Sequence, residues 1–150
     1  MFNSIQLESP LHHVELEHLM SQSDSKGIVF HEAALLGHLN LRGNVKDVDF
    51  VAGVQQALGV ALPITSCSST KSELVQVMWL APDEWLIVVA SGSEYDVEQK
   101  LRSTLKGHFA VSDISGAQTI IELSGDNVLD LMQKSTGYDH ICRVFLLVKL

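Results

Sequence analysis

Apolar and polar residues follow two different periods along this chain, and these periods predict a mixture of strands and amphipathic helices. Apolar and polar positions alternate in residues 39–42, which predicts a strand that finishes at Gly43. Val51, Val54 and Leu58 then fall at i, i+3 and i+7, which is the spacing of one face of a helix. This stretch is therefore predicted to be a strand, a glycine turn and a helix.

Residues at the ends of the predicted helices carry capping signals. Asn44 or Asp47 can accept hydrogen bonds from the first turn of the first helix, and Gly59 suits the position after its last turn. Ser93 opens a second helix with the shape of a capping box, in which Asp96 takes the usual place of Glu. The other predicted elements are a short helix over 11–20, loops over 21–27 and 64–72, a hairpin over about 74–90, strands over 109–114 and 117–123, and a fourth helix ending at Gly137.

The predicted hairpin is the most informative motif, because it carries both tryptophans. Trp79 and Trp85 flank Pro82 and Asp83, and the latter two residues suit the central positions of a turn. The tryptophans then occupy facing strand positions, where their rings can pack. Burial in a core is the favoured interpretation, since large aromatic residues are usually buried. The functional alternative puts one tryptophan, with Asp83 and Glu84, on a binding surface.

The strand, glycine and helix of residues 39–59 have an echo later in the chain. Residues 121–123 form a predicted strand, Gly125 breaks it, and an amphipathic helix follows. The predicted fold class is therefore α+β, with a mostly antiparallel sheet and helices packed on one face. Two related strand–glycine–helix units build this fold.

Charge and composition restrict the classes of partner. The chain has 150 residues, of which 18 are acidic and 10 basic, and its net charge is −8. Because phosphate binding needs a basic face, we expect neither a nucleic-acid partner nor an anionic membrane. No apolar run is long enough to span a bilayer and no secretory signal is recognised, so we expect a cytoplasmic protein. A polar segment over residues 1–27 is expected to precede a domain over 28–150.

Few residues have the spacing of a catalytic or metal site. Ser115 follows Asp113 but lacks the leading glycine of a nucleophile elbow, so a turn at a strand end is favoured over a nucleophile. His13 and Glu17 would share one face of a helix, yet a solvated terminal segment is favoured over a metal site with too few ligands. Arg42 could clamp a carboxylate, and a structural ion pair is the favoured alternative.

The remaining histidines and cysteines also favour structural interpretations. His31 and His38 flank an apolar stretch and are expected to be partly buried. Cys67 and Cys142 lie far apart and are expected to be reduced thiols. Without a catalytic constellation, the sequence favours a subunit or a binding protein over a self-sufficient enzyme.

Five short motifs follow one another along the chain. They are Leu41-Arg42-Gly43, Leu58-Gly59-Val60-Ala61-Leu62-Pro63, Trp79-Leu80-Ala81-Pro82-Asp83-Glu84-Trp85-Leu86, Val111-Ser112-Asp113-Ile114-Ser115 and Leu123-Ser124-Gly125. In this order they resemble the gamma subunit of heterotetrameric sarcosine oxidase, and the tryptophan motif is the specific one. The residues that these motifs mark as family-motif or interface candidates are Arg42, Gly43, Trp79, Pro82, Asp83, Glu84, Trp85, Asp113, Ser115 and Gly125.

The resemblance implies a small non-catalytic subunit of a complex that oxidatively demethylates sarcosine to glycine, packed chiefly against the alpha subunit. It implies that flavins, NAD and folate are held by partner subunits, with no cofactor, metal or catalytic residue in this chain. The implied fold is similar to the folate-binding domain of glycine-cleavage aminomethyltransferases. A stand-alone folate or one-carbon binding protein of that fold is the alternative, and an oligomerising α+β domain with neither role is the third.

The apolar run of residues 144–148 generates a first prediction. It follows a stretch, residues 139–145, that departs from the family pattern and implies an incomplete C-terminal part of the domain. An uncovered apolar strand offers unpaired backbone groups, so we expect self-association through this segment. Burial within its own monomer is the alternative. Sedimentation should show a dimer that is lost when the chain ends at Tyr138, and a full-length monomer at high micromolar concentration would contradict this.

Overall fold

The computed structural model describes residues 7–21 and 27–137 and shows an α+β fold. In chain order, the described helices and strands are α1 (Leu16–Ser21), β1 (Val29–Ala33), β2 (Gly37–Arg42), α2 (Val48–Leu58), β3 (Ser69–Lys71), β4 (Val75–Ala81), β5 (Glu84–Val89), α3 (Glu94–Thr104), β6 (Ala110–Asp113), β7 (Ile120–Ser124) and α4 (Val128–Ser135). Short 3-10 helices cover His12–Val14 and Ser115–Ala117. Antiparallel strands combined with α-helices confirm the predicted fold class.

The chain forms two compact units. The larger unit is continuous and covers residues 35–118, and the smaller unit combines residues 1–34 with 119–150. These units do not follow the predicted division into residues 1–27 and 28–150, which stays a prediction. Both predicted strand–glycine–helix units are present, one in each compact unit: β2–Gly43–α2 in the larger, and β7–Gly125–α4 in the smaller.

The larger unit contains a five-stranded antiparallel sheet in the order β3-β4-β5-β2-β6. The predicted hairpin is confirmed as β4 and β5, and Trp79 faces Trp85 in the strand register. Leu39 and Leu41 of β2 face Ile87 and Trp85 of β5, so one face of the sheet is apolar. Because successive strand residues point to opposite faces, this register aligns the buried residues on one side.

Helices α2 and α3 cover this apolar face and complete the core. Phe50 and Val54 of α2, and Leu101 of α3, are each 0–2% exposed. They pack with the apolar sheet residues in one cluster, which confirms the prediction that the helices lie on one face. The buried hydrophobic residues of this cluster are Leu39, Leu41, Phe50, Val54, Leu62, Val75, Val77, Trp85, Ile87, Val89, Leu101, Leu105 and Val111.

The ends of α2 are set by the residues that the sequence pattern indicates. The Asp47 carboxylate accepts hydrogen bonds from the backbone N–H groups of Asp49 and Phe50, at 3.0 and 3.3 Å. This arrangement satisfies donors that have no partner within the helix. Gly59 ends the helix with φ of 73°, a conformation that glycine adopts without steric cost. Of the two predicted caps, Asp47 is therefore the one used.

Three sequence-based expectations about local structure are wrong. The Ser93 side chain makes no capping hydrogen bond, so α3 begins without the predicted capping box. The predicted helix over 11–20 is broken at Glu15, whose φ of 50° interrupts the helical conformation between two short pieces. The predicted loop over 64–72 includes β3, because residues 69–71 pair with β4. Ser93 lies in the right-handed helical region rather than in the extended conformation typical of an N-cap residue. The other two segments are too short for hydrophobic periodicity to detect.

The smaller unit is built around the antiparallel pair β1–β7, with Val29 facing Ser124 and Ala33 facing Ile120. Gly125 has φ of 116° and lies against the backbone of Gly27, so a side chain at this position would collide with that backbone. The loop expected over 21–27 falls mostly outside the described residues.

Trp85 should be the side chain on which the stability of the larger unit depends most. Trp85→Ala should reduce the free energy of unfolding by about 3–5 kcal/mol, since it removes a fully buried ring from the core. Trp79→Ala, at a half-buried position, is the matched control and should cost less. Urea denaturation followed by circular dichroism measures both values, and equal losses would show that the two rings are not distinguished by burial.

Candidate functional site

Several family-motif residues meet where β2 ends beside the β4–β5 turn. A guanidinium nitrogen of Arg42 lies 2.8 Å from a carboxylate oxygen of Asp83, and the backbone N–H of Gly43 donates to the Asp83 carbonyl at 3.1 Å. The amide of Asn40 donates to the Glu84 carboxylate at 2.7 Å. Backbone and side-chain bonds together therefore connect the end of β2 to the turn.

The charge of Arg42 is already balanced by its neighbours. The hydrogen bond that Arg42 donates to the Asp83 carboxylate, with the charges of Asp83 and Glu84, raises the pKa of Arg42 above its ordinary value. The Arg42 and Asp83 side chains are 54% and 57% exposed, so solvent screens the pair and its net contribution to stability is small. The favoured interpretation of Arg42 as a structural ion pair is confirmed.

A cleft of about 600 Å³ lies at this end of the sheet, between the β2 terminus, the β4–β5 turn and the start of β6. Arg42, Asp47, Asp83 and His108 contribute its charged or titratable groups. The first three already bond within the chain, Asp47 as the cap of α2. These bonds hold the end of β2, the β4–β5 turn and the start of α2 in place.

The two tryptophans have different environments. Trp85 is fully buried, its indole N–H donates to the Pro63 carbonyl at 2.7 Å, and its ring lies 5.9 Å from that of Phe50. Trp79 is half-buried at the margin of the core, and Pro82 is exposed in the turn. Trp79 and Pro82 are therefore accessible to a partner, whereas Trp85 is fully buried and cannot contact one.

Asp113 and Ser115 lie beside His38 at one end of β6. The Asp113 carboxylate accepts from the backbone N–H of Ser115 at 2.9 Å and from the Ser115 hydroxyl. The Ser115 hydroxyl oxygen in turn accepts from the backbone N–H of His38 at 3.0 Å. The hydroxyl thus contacts the His38 backbone rather than its imidazole. This is the turn at a strand end that the sequence favours, not the Ser–His geometry of a nucleophile.

His38 is 1% exposed, and neither of its ring nitrogens meets hydrogen-bond geometry with any described residue. Burial lowers the pKa of His38, and the backbone of Leu36 and the charge of Asp113 offset this effect only in part. The neutral imidazole is therefore favoured in the folded chain. His31 differs from the expectation of partial burial, because it is exposed on β1.

The predicted pairing of His13 with Glu17 on one helix face does not form, because the chain turns at Glu15 between them. A cleft of about 440 Å³ in the smaller unit is lined by His12, His18 and His31, among other residues. Within residues 7–21 and 27–137, no three His, Cys, Asp or Glu side chains are placed to hold a metal ion. Cys67 is exposed on a loop, and Cys142 lies outside the described residues.

Glu32 is a structural residue that the sequence pattern did not indicate. Its carboxylate accepts hydrogen bonds from the Ser9 hydroxyl at 2.7 Å, the Thr119 hydroxyl at 2.9 Å and the Leu11 backbone N–H at 3.4 Å. Desolvation raises the pKa of Glu32, but the bonds from Ser9, Thr119 and Leu11 outweigh it, and the net shift is downward. Partners so distant in sequence leave no local signal.

Comparison with known proteins identifies a family and a fold. Residues 42–149 match the sarcosine oxidase, gamma subunit family (SoxG). A chain of the heterotetrameric sarcosine oxidase from Corynebacterium sp. U-96, solved in complex with pyrrole 2-carboxylate, is similar in fold, with a TM-score of 0.80. The identity is 23%, and the alignment covers 93% of this chain and 71% of that chain. No curated protein matches the sequence.

The family match has a consequence for the C-terminal residues. It continues through residues 139–145, so it does not stop where a departure from the family pattern is predicted.

No helix within the described ranges has the length and apolar character needed to cross a membrane.

His38 should make the stability of the chain depend on pH. Because its pKa is lowered in the folded state, the unfolded chain binds the proton more readily, and stability is lost as the pH falls below about 6.5. Melting temperatures from pH 7.5 to 5.5 should therefore decline less in His38→Gln than in the wild type. His108→Gln, at an exposed position, should retain the wild-type slope. Identical slopes for all three proteins would contradict the assignment.

Proposed function

We propose, because this chain belongs to the sarcosine oxidase gamma subunit family, that it is the small subunit of a heterotetrameric sarcosine oxidase. In this proposal the complex oxidatively demethylates sarcosine to glycine, and the chain packs against the alpha subunit without taking part in the chemistry. The family match over residues 42–149 is the observation that carries the proposal.

The use of the motif residues supports a structural role. Arg42 and Asp83 bind each other, and Trp85 bonds to Pro63 inside the core. The Ser115 hydroxyl is occupied by Asp113 and by the backbone of His38. A nucleophile or a substrate clamp needs groups that are directed at a ligand, whereas these groups are directed at the fold itself.

The proposal assigns the cofactors to the partner subunits. Flavins, NAD and folate would then be bound by the larger subunits, and this chain would contribute surface. The pairing of Arg42 with Asp83 supports this division, since an arginine that is already paired is a poor clamp for the glutamate tail of folate. A cytoplasmic location and a fold similar to the aminomethyltransferase folate domain are parts of the same proposal.

Co-expression tests membership of the complex. The full chain, produced together with the larger sarcosine oxidase subunits of its own organism, should co-purify with them in a constant ratio through affinity and size-exclusion steps. If the chain elutes alone while the larger subunits assemble without it, the proposed function is wrong. A complex assembled with and without the chain shows in parallel whether the chain supports turnover or stability.

The isolated chain should not oxidise sarcosine. Purified chain with sarcosine and added flavin should release no more peroxide than a heat-treated control, because its motif side chains bond within the fold. Turnover above that control would overturn the non-catalytic role. Titration with tetrahydrofolate belongs to the same test, and micromolar binding by the isolated chain would favour the alternative of a stand-alone folate-binding protein.

A further inference from the structure

His38 is a buried titratable residue that the proposed function does not use. Leu39 and Leu41 of β2 belong to the core that α2 and α3 cover, so His38 points to the opposite face of the sheet. It is 1% exposed there, and neither ring nitrogen has a hydrogen-bond partner among the described residues. Burying a polar ring without partners is unfavourable, so this position calls for an explanation.

The backbone of His38 is held by the residues that end β6. The N–H of Ile114 donates to the His38 carbonyl at 2.9 Å, and the His38 N–H donates to the Ser115 hydroxyl oxygen at 3.0 Å. The Ser115 hydroxyl also donates to the Asp113 carboxylate, which accepts from the Ser115 N–H at 2.9 Å as well. Both backbone groups of His38 therefore bond to this stretch. Residues 113–118 are called the latch segment below.

The latch segment is the neighbour of His38 that can move most easily. On the other side of β2, His38 faces Val88 of β5, a strand that is itself paired with β4. β6, in contrast, is the last strand of the described sheet, and its final residue, Asp113, is exposed. The start of β6 is anchored, because the Arg102 guanidinium donates to the carbonyl of the buried Val111 at 2.7 Å. Local opening should therefore begin after Val111.

The groups around the imidazole give its charged form little support. Val88 of β5 is apolar, Ser115 is neutral, and Asp113 is the charged residue that acts on His38 among the described residues. Burial outweighs the backbone of Leu36 and the charge of Asp113, so the pKa of His38 is lowered. In an open form the ring is hydrated and its pKa returns toward the ordinary value. Because the open form then binds a proton more tightly, falling pH shifts the population toward it.

The latch segment also lies where the chain leaves the larger unit. That unit begins at Leu35, three residues before His38, and ends at Gln118, three residues after Ser115. Both chain connections to the smaller unit therefore start close to the hydrogen bond between His38 and Ser115. Opening of the latch segment would lengthen the free part of the connection after β6 and would release the bonds at the start of β2.

We propose that His38 is a pH-sensitive switch for the latch segment. The neutral imidazole is compatible with the closed form, in which residues 113–118 are bonded to β2, whereas protonation favours an open form in which they have moved away and the imidazolium is hydrated. The family-motif residues Asp113 and Ser115 hold the closed form, a role that needs neither substrate nor cofactor. The switch is a property of the chain itself and does not depend on the proposed function.

Residue-resolved amide hydrogen exchange of the full chain measures the opening. After correction for the intrinsic effect of pH, the amides of His38 and Ile114 should exchange up to about tenfold faster at pH 5.5 than at pH 7.5, the limit for a histidine of pKa about 6.5 that binds its proton only in the open form. Their exchange should depend little on dilute urea, since a local opening exposes little surface. If these amides share the urea dependence of amides in the β4–β5 pair, they exchange by global unfolding and the inference is wrong.

A variant without the imidazole identifies the group that titrates. His38→Gln removes the ionisable ring but keeps a neutral polar side chain, so the rise in exchange at low pH should vanish. His108→Gln, at an exposed position of the same unit, is the matched control and should retain the rise. A rise that persists in His38→Gln would assign the effect to another group and overturn the inference.

A second test keeps His38 in place and does not depend on the folding of His38→Gln. Ser115→Ala removes the side-chain bonds to Asp113 and to the His38 backbone and so weakens the closed form. By reciprocity the pKa of His38, followed through its ring protons by NMR spectroscopy, should rise toward its ordinary value. Ser112→Ala, at an exposed serine of β6, is the control and should leave the titration unchanged. An unchanged midpoint in Ser115→Ala would show that the proton and the segment are not coupled, which would overturn the inference.

Discussion

The burial of Trp85 holds together the parts of the larger unit. Its indole N–H reaches the Pro63 carbonyl, so the segment after α2 is bound to the sheet. Its ring lies against Phe50 of α2, and the Phe50 ring in turn occupies the space beside Gly43 where a side chain would stand. Strand, turn and helix therefore meet at one aromatic pair. Removing the Trp85 ring would leave the Pro63 carbonyl without its N–H donor and would also remove a large apolar contact with Phe50.

This constraint explains why the motif residues occur together. Gly43 is small because Phe50 packs against it, and Trp85 follows Pro82 and Asp83 because the turn must return the chain opposite Trp79. The bond from Gly43 to Asp83 then joins the end of β2 to that turn. Several of the family-motif residues are therefore ones that this packing arrangement requires.

Much of the larger unit could be predicted from local pattern, and most of what was missed depends on distant contacts. The hairpin, α2 and its Asp47 cap carry their signals within a few residues. The complete burial of His38, the hydrogen bonds to Glu32 and the break at Glu15 carry none, because each depends on tertiary surroundings or on one backbone angle. At the candidate site, the sequence favours an ion pair at Arg42 but does not indicate that its partner is Asp83, because the two residues are distant in sequence.

The division of the chain into a continuous and a discontinuous unit bears on the order of events during synthesis. Residues 35–118 emerge as one stretch and contain their complete described core, so this unit can fold before the rest of the chain is made. The pairing of β1 with β7 must wait, because Ala33 meets Ile120 only after the whole intervening stretch has been translated. The ribosome therefore imposes a sequence in which the stable scaffold comes first and the smaller unit is completed last.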